Sequence, residues 1–244
     1  MKSLIDELRK FTTYSQIYED LILLCIFYDV EKGFYIDVGA NDPDKLSVTK
    51  AFYLKGWNGM NIEPLPDKYN SLLSRRPRDI NLQIGVGKNE GNATLFLKDS
   101  CSTIYKNLIK NPSKFINIKI DTMSKICNTH IKKELKIQFC KIDVEGSEKN
   151  VLLGFDFQNY RPLVFLIEST LPLTGKPTYS SWEYILFNNN YSFVYQYSIN
   201  RFYVDNSNGN LKSKFLDIDK YIKIFQSFKK NINNNKTKKK NYNK

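Results

Sequence analysis

Apolar residues recur along the chain in two patterns that alternate. Between about residues 15 and 29 they return at helical spacing, and Ser15 suits the start of that helix. From residue 33 onward, short apolar runs typical of strands alternate with segments of helical spacing. This alternation predicts a mainly parallel sheet with helices on both faces. Strands are predicted over residues 33–39, 58–63, 80–86, 93–97, 117–120, 137–144, 163–168, 191–197 and 201–204, and further helices over residues 45–55, 67–75, 121–131, 148–153 and 181–188.

The last two predicted strands are joined by only a few residues. So short a connection forces antiparallel pairing, because parallel neighbours need a longer crossover. We therefore expect an α/β fold whose parallel sheet carries an antiparallel hairpin at its edge. In open sheets of this kind, ligands bind beyond the carboxyl ends of the strands. The candidate chemistry is expected there.

The length of 244 residues suits one domain. We predict a single domain over residues 1–228, which includes an N-terminal helical segment over residues 1–30. Residues 229–244 hold seven lysines, no acid and almost no apolar side chain, so we predict a disordered tail. The tail carries much of the net charge of +12. An alternative role for it is an electrostatic tether to an anionic partner such as membrane lipid or nucleic acid.

The chain carries no signal for export or membrane insertion that we can read. Its longest apolar run, residues 21–28, is far shorter than the ~20 residues that cross a bilayer. The N-terminus has early acids instead of an apolar core. Four cysteines without a C-x-x-C pair and a single histidine make a zinc site improbable. Reduced cysteines are typical of the cytoplasm, which is the expected location.

Two predicted strands end in residues suited to a nucleoside. Gly39 ends the first one, where glycine permits a sharp turn and the close approach of a ligand to the backbone. Glu63 ends the second strand, where an acid can accept hydrogen bonds from both ribose hydroxyls. A dinucleotide site would need the pattern G-x-G-x-x-G, and residues 41–44 replace it with Asn-Asp-Pro-Asp. The site therefore suits a nucleoside without phosphates, such as S-adenosylmethionine.

Acids also follow two later apolar strands. Asp143 and Glu145 come directly after the strand that contains Cys140, and Glu168 ends the next one. A buried acid is costly unless it has a partner. Because neighbouring parallel strands end at one edge of the sheet, we expect these acids to lie near each other, although an N-cap or a salt bridge is the alternative role for each.

Several pieces of sequence in a specific order carry a family resemblance. The most specific is the segment from Lys141 to Glu148, Lys-Ile-Asp-Val-Glu-Gly-Ser-Glu. The others are Tyr14-Ser15-Gln16 with Glu19-Asp20, Gly33 to Asn41, Gly56-Trp57, Asn61 to Pro64, Arg161-Pro162, Ile167 to Thr170, Trp182-Glu183 and Asn200 to Val204. With these pieces the chain resembles the FkbM-type methyltransferases from about Tyr14 to Val204.

The resemblance implies a Rossmann-like class I methyltransferase fold with a seven-stranded sheet. It implies S-adenosylmethionine as the methyl donor and O-methylation, often of sugars or polyketide-like natural products. A sugar acceptor, or a nucleotide sugar in the synthesis of a surface polysaccharide, would fit. The residues carried over as cofactor-binding are Gln16, Asp37, Gly39, Asn41, Glu63 and Asp143, and the catalytic candidates are Asp143, Glu145 and Glu168.

The proton of the acceptor hydroxyl needs a base. His130 has the right chemistry, but the predicted helix ends there on the side away from the strand ends. Asp143 is the better candidate, either as general base or as ligand to Mg²⁺ or Mn²⁺ that acidifies the hydroxyl. Glu168 could share either role, or the acids could stabilise the sulfonium. Asn200 and Arg201 are candidates for acceptor binding, with a structural salt bridge as the alternative for Arg201.

Two other functions remain open. The basic tail and the fold would also suit a nucleic-acid methyltransferase, but the Asn-Pro-Pro-Tyr and Asp-Pro-Pro-Tyr motifs of amino methylation are absent from the sequence. This absence argues against nucleic acid as a partner. A non-catalytic binding module with the same fold is the third possibility. The joint presence of Asp37, Glu63 and Asp143 argues against it.

Overall fold

Two β-sheets organise the chain. A computed structural model describes residues 3–98, 101–109, 111–172 and 174–242, with side chains throughout except at residues 101 and 231–242. The helices in these ranges are α1 (Leu4–Lys10), α2 (Glu19–Phe27), α3 (Lys50–Leu54), α4 (Pro66–Arg75), α5 (Met123–His130), α6 (Glu148–Leu153), α7 (Glu183–Asn188), α8 (Gly209–Lys214) and α9 (Ile218–Tyr242). The strands are β1 (Phe34–Val38), β2 (Asn58–Ile62), β3 (Ile80–Leu82), β4 (Gly85–Val86), β5 (Gly91–Lys98), β6 (Cys101–Thr103), β7 (Lys114–Asp121), β8 (Phe139–Ile142), β9 (Val164–Glu168), β10 (Tyr191–Tyr197) and β11 (Asn200–Asp205).

The large sheet has seven strands in the order β10-β11-β9-β8-β1-β2-β3. The strands from β9 to β3 pair in parallel, and β11 runs antiparallel to both β9 and β10. Every residue of β1 and β9 is buried, as expected for strands covered on both faces. The prediction of a mixed α/β fold with a mainly parallel seven-stranded sheet is confirmed.

Alternate residues of the central strands supply two cores, one on each face of this sheet. On one face Ile36 and Ile142 pack with residues of α5, α6 and α7. On the other face Tyr35 and Phe139 pack with residues of α1, α2, α3 and α9. Because side chains alternate along a strand, one short apolar run feeds both cores. The sheet is thereby held rigidly, and the loops at its carboxyl edge start from fixed positions.

The small sheet has four strands in the order β4-β7-β5-β6. Its β4 pairs in parallel with β7, and the β7–β5 and β5–β6 pairs are antiparallel. In the predicted pattern, residues 80–86 form one strand of one sheet. The structure divides them into β3 in the large sheet and β4 in the small sheet, so the chain changes sheets between Leu82 and Gly85.

Helix boundaries differ from the predicted ones at several places. The helix predicted from residue 15 begins at Glu19, because Tyr18 adopts a left-handed conformation with φ of 69°. The helix predicted over residues 45–55 covers residues 50–54. The backbone of helix α9 extends into the predicted disordered tail, as far as residue 242. The side chains of residues 231–242, and residues 243 and 244 as a whole, lie outside the described part. The tail and the single-domain division stay predictions. None of the described helices is both long and apolar enough to cross a membrane.

Candidate active site

Four acids meet where four neighbouring parallel strands of the large sheet end. Asp37 lies in β1, Glu63 follows β2, Asp143 follows β8 and Glu168 ends β9. Beside them lies a cavity of about 750 Å³, which Glu63, Asp143 and Glu168 line. We call these four acids, together with Lys141 of β8, the floor of the cavity. The position agrees with the rule that ligands bind beyond the carboxyl ends of parallel strands.

Gly39 forms the turn at the end of β1. Its φ of 77° lies in the left-handed region, and a Cβ built there would stand 1.9 Å from the carbonyl oxygen of Asp143. Only glycine tolerates both conditions. The Gly39 N–H donates to the carbonyl of Ile62 at 3.0 Å. The turn therefore brings the ends of β1, β2 and β8 together without an intervening side chain.

Glu63 is held in place by the backbone. Its Oε2 accepts the N–H of Asn41 at 2.8 Å, and its Oε1 accepts the N–H of Leu65 at 2.8 Å. The side chain is 4% exposed. Burial raises its pKa, while the two backbone N–H groups and Lys141 act in the opposite direction. Since each carboxylate oxygen has a second lone pair, the fixed carboxylate can still accept two hydroxyl donors.

Asp37 and Lys141 form a buried ion pair at the base of the site. Asp37 is 2% exposed, and its Oδ2 accepts the hydroxyl of Thr49 at 3.0 Å. Its Oδ1 lies 3.3 Å from Lys141 Nζ, without the geometry of a hydrogen bond. Asp37 does not line the cavity, whereas Lys141 does. Asp37 therefore supports the site from behind.

The loop after β8 presents Asp143 and Glu145. Asp143 is anchored by its own N–H, which donates to the carbonyl of Val38 at 3.1 Å, and its side chain is 41% exposed. Glu145 adopts a left-handed φ of 53°, and its carbonyl accepts the hydroxyl of Thr103 at 2.8 Å. Beneath the loop, Oε1 of buried Glu148 accepts the N–H groups of residues 144 and 146. Glu148 has its pKa raised to about 7, chiefly by burial.

Glu168 is buried beside the loop after β8. Burial raises its pKa to about 10, and the nearby carboxyls of Asp143, Glu145 and Glu148 add to the effect. Its Oε2 has no hydrogen-bond partner among the described residues. Near neutral pH, Glu168 is therefore a protonated carboxyl next to Asp143, and it has capacity to bind a further group.

Gln16 reaches the cavity from the segment before α2. This segment is shaped by Asp20, whose carboxylate accepts hydrogen bonds from Thr13 and from the N–H groups of Tyr14 and Ser15. Glu19 adds a bond from the N–H of residue 17 at 2.8 Å. The two acids of the Glu19-Asp20 pair thus hold Gln16 against the site.

The small sheet covers the cavity from the other side. Side chains alternate along its strands, so Leu95 and Leu97 of β5 and Ile118 and Ile120 of β7 face the cavity, and Ile104 after β6 also lines it. We call this apolar surface the roof. It consists of Leu95, Leu97, Ile104, Ile118 and Ile120.

A comparison with protein families shows which family the chain belongs to. The methyltransferase FkbM domain matches residues 37–195, which include the small sheet and the whole floor. The chain belongs to the FkbM methyltransferase family. The resemblance read from the sequence is therefore confirmed. A comparison with curated proteins gives no match.

Within the FkbM domain and the segment before it, the structure brings most of the predicted site residues to one cavity. Those that line it are Gln16, Gly39, Asn41, Glu63, Asp143, Glu145 and Glu168. Their roles stay predictions. His130 is exposed at the end of α5 and does not line the cavity. In the described parts of the chain, no group of three or more His, Cys, Asp or Glu side chains is arranged to hold a metal ion.

The predicted acceptor-binding residues Asn200 and Arg201 do not line the cavity. The Asn200 amide donates to Glu19 Oε1 at 3.0 Å. The Arg201 guanidinium donates to Glu183 and Gln196 and lies over two aromatic rings, at 3.8 and 3.9 Å from their centres. These internal partners occupy both side chains, so no contact supports the predicted role in acceptor binding.

Sequence reasoning did not assign a role to Lys141 or to the roof. Lys141 was visible as a charged residue inside the apolar run of β8, and such a residue needs a buried partner. The roof had no comparable signal, because its residues are ordinary apolar strand residues. Their approach to the cavity depends on how the small sheet pairs.

Proposed function

We propose that this FkbM family member is an S-adenosylmethionine-dependent O-methyltransferase with a Rossmann-like class I fold and an antiparallel edge hairpin. The observation that carries the proposal is the fixed carboxylate of Glu63 at one side of a cavity whose floor continues into Asp143 and Glu168. A nucleoside and a reacting centre can thus be held over one floor. Family membership supports the methyl donor.

The residues of the floor fit this cofactor. Glu63 would accept the two ribose hydroxyls, because its oxygens are oriented by backbone N–H groups and keep free lone pairs. Gly39, Asn41 and Gln16 would hold the methionine end, with Asp37 behind them. The acidic floor matches a cationic ligand. When bound, S-adenosylmethionine supplies a methyl group that its sulfonium already activates for transfer.

Asp143 is the proposed general base. Its side chain is 41% exposed, so it can reach a hydroxyl in the cavity. The neighbouring Glu168 keeps its own proton near neutral pH, because burial and the adjacent carboxyls raise its pKa to about 10. Asp143 is therefore the member of this pair that accepts the hydroxyl proton, and Glu168 and Glu145 orient it.

The proposed acceptor is a hydroxyl of a sugar or of a sugar-containing metabolite, such as those used in polysaccharide synthesis. The cations lining the cavity, among the described residues, are Lys68 and Lys141. Lys68 pairs with Asp42, and Lys141 pairs with Asp37 and Asp143. The reacting part of the acceptor is thus expected to be uncharged. The apolar roof suits the carbon face of a sugar ring.

Transfer of labelled methyl from S-adenosylmethionine to a panel of neutral glycosides tests the proposal. The wild-type chain should label at least one of them. Asp143→Asn should lower the rate about 10²- to 10⁴-fold, the range for loss of a general base, and weaken cofactor binding far less than it lowers the rate. The exposed Asp217→Asn is the matched control and should keep the full rate. Equal rates in Asp143→Asn and wild type would refute the assignment of the base.

A further inference from the structure

Lys141 occupies an unusual position for a lysine. It belongs to a central strand of the large sheet, and its side chain is 12% exposed. Its Nζ donates to the carbonyl of Gly39 at 2.6 Å and lies 3.3 Å from Asp37 Oδ1 and 3.5 Å from Asp143 Oδ2. One ammonium group therefore contacts the ends of both β1 and β8.

These contacts place the only strongly buried cation of the floor between its acids. The groups that face Lys141 are Asp37 of β1, Asp143 after β8 and, at longer range, Glu63 after β2. Burial acts to lower the pKa of Lys141, but the acids outweigh it and the pKa lies above its usual value. The lysine thus stays charged at every physiological pH.

Further carboxyl groups crowd this part of the site. Asp143 lies near Glu145, Glu148 and Glu168, whose carboxyls come from the loop after β8, from α6 and from β9. Glu168 keeps its proton in these surroundings. Asp37 and Asp143 have the ammonium group instead. Removing it would leave two carboxylates in a crowded acidic site without a counter-charge.

We propose that Lys141 is a positioning residue that keeps Asp37 and Asp143 as oriented carboxylates, so that the floor is ready to receive a cationic cofactor without first releasing a proton. The inference rests on the proposed function, since it assumes S-adenosylmethionine as ligand. It goes beyond that function by assigning to one lysine the charge state that the floor has before the cofactor binds. It also explains why Lys141 bonds to Gly39, the residue at which the two strands meet.

The test counts protons released when S-adenosylmethionine binds. Calorimetric titrations at pH 7 in buffers of different ionisation enthalpy give this number for wild type, Lys141→Met and Lys141→Arg. In Lys141→Met, a proton bound by one of the two acids should compensate for the lost charge of the ammonium group. This proton should be released when the sulfonium of S-adenosylmethionine binds. We therefore expect Lys141→Met to release about one proton more than wild type for each cofactor molecule bound. Lys141→Arg retains the charge and should match wild type.

A folded Lys141→Met variant with the wild-type proton count would overturn the proposal. A merely structural lysine would change affinity or stability but not this count. If no protein, including wild type, binds the cofactor, the proposed function fails and not the role of Lys141.

A second variant covers the case in which Lys141→Met does not fold. The double variant Asp37→Asn/Lys141→Met removes both charges of the buried pair. If charge pairing is the role of Lys141, the double variant should regain a cooperative thermal unfolding transition that Lys141→Met lacks. A double variant that also fails to fold would show that the lysine acts through packing, and the proposal would be wrong.

Discussion

The floor and the roof enclose the same cavity, but they are built in different ways. Floor residues are polar and, except for Asp143, buried, and specific partners fix them, as when two backbone N–H groups hold Glu63. Roof residues such as Leu95 and Ile118 are apolar and belong to one face of the small sheet. The floor therefore depends on particular atoms, whereas the roof depends on size and hydrophobicity.

This difference separates two kinds of function. Replacing one atom of an oriented carboxylate removes a hydrogen bond to the ligand, because a hydrogen bond needs a matching donor and acceptor. An apolar wall tolerates exchange among similar side chains. We therefore assign the cofactor and the chemistry to the floor and acceptor fit to the roof. Substitutions in the two regions should differ accordingly, and the following predictions run from the largest expected effect to the smallest.

Gly39→Ala should have the largest effect. The new Cβ would stand 1.9 Å from the Asp143 carbonyl oxygen, at a φ of 77°. We expect a loss of about 3 kcal/mol or more in unfolding free energy, from overpacking and left-handed strain together, and loss of cofactor binding. Urea denaturation and calorimetry measure both.

Gly56→Ala is the matched control for that substitution. Gly56 has a φ of 90°, but nothing lies within 4 Å of its built Cβ. Its cost should be about 1–2 kcal/mol from backbone strain alone, with cofactor binding retained. Similar losses in both variants would show that the close approach of β1 and β8 is not needed.

Glu63→Gln should weaken the binding of S-adenosylmethionine about 10- to 100-fold. The change removes charge-assisted hydrogen bonds worth ~1.5–3 kcal/mol. Glu148→Gln is the control, because Glu148 is also buried and bonded to backbone N–H groups but does not line the cavity. It should retain affinity within about threefold. Equal weakening in the two variants would argue against a ribose site at Glu63.

The floor was far easier to predict from sequence than the roof. Glu63 and Glu168 each follow an apolar run, and the alternation of strands and helices predicted the parallel sheet. The roof requires β7 to pair with β4 across residues 87–113, and no local pattern shows such a pairing. For the same reason, the bond between Asn200 and Glu19 could not be foreseen, since 181 residues separate them.

Glu168→Gln should stabilise the chain increasingly as pH rises. Burial raises the pKa of Glu168 from 4.5 to about 10 in the folded chain. Above pH 4.5 the unfolded chain loses a proton that the folded chain keeps, so wild-type stability falls with rising pH through this group. Glutamine has no proton to lose.

The advantage of Glu168→Gln should therefore grow steadily from pH 5 to pH 8, by at most about 1.4 kcal/mol per pH unit, and urea denaturation at several pH values measures it. The exposed Glu134→Gln is the control and should follow the wild-type profile. A constant difference between Glu168→Gln and wild type across this range would contradict a protonated Glu168.

Leu97→Ala should have the smallest effect. Leu97 is half-buried in the roof, so we expect a loss of about 1 kcal/mol in unfolding free energy and cofactor affinity within about twofold. The KM of a labelled acceptor should rise instead. Leu73→Ala, an exposed leucine outside the cavity, should leave that KM unchanged. A large loss of cofactor affinity in Leu97→Ala would contradict the assignment of the cofactor to the floor and of acceptor fit to the roof.

The central claim is that the floor holds S-adenosylmethionine. Calorimetric titration of the full chain with S-adenosylmethionine and with its demethylated product tests it most directly. Our account predicts saturable binding of both at one site, with affinity in the micromolar range. A folded chain that takes up neither ligand at millimolar concentration would contradict the account and leave the fold without its proposed chemistry.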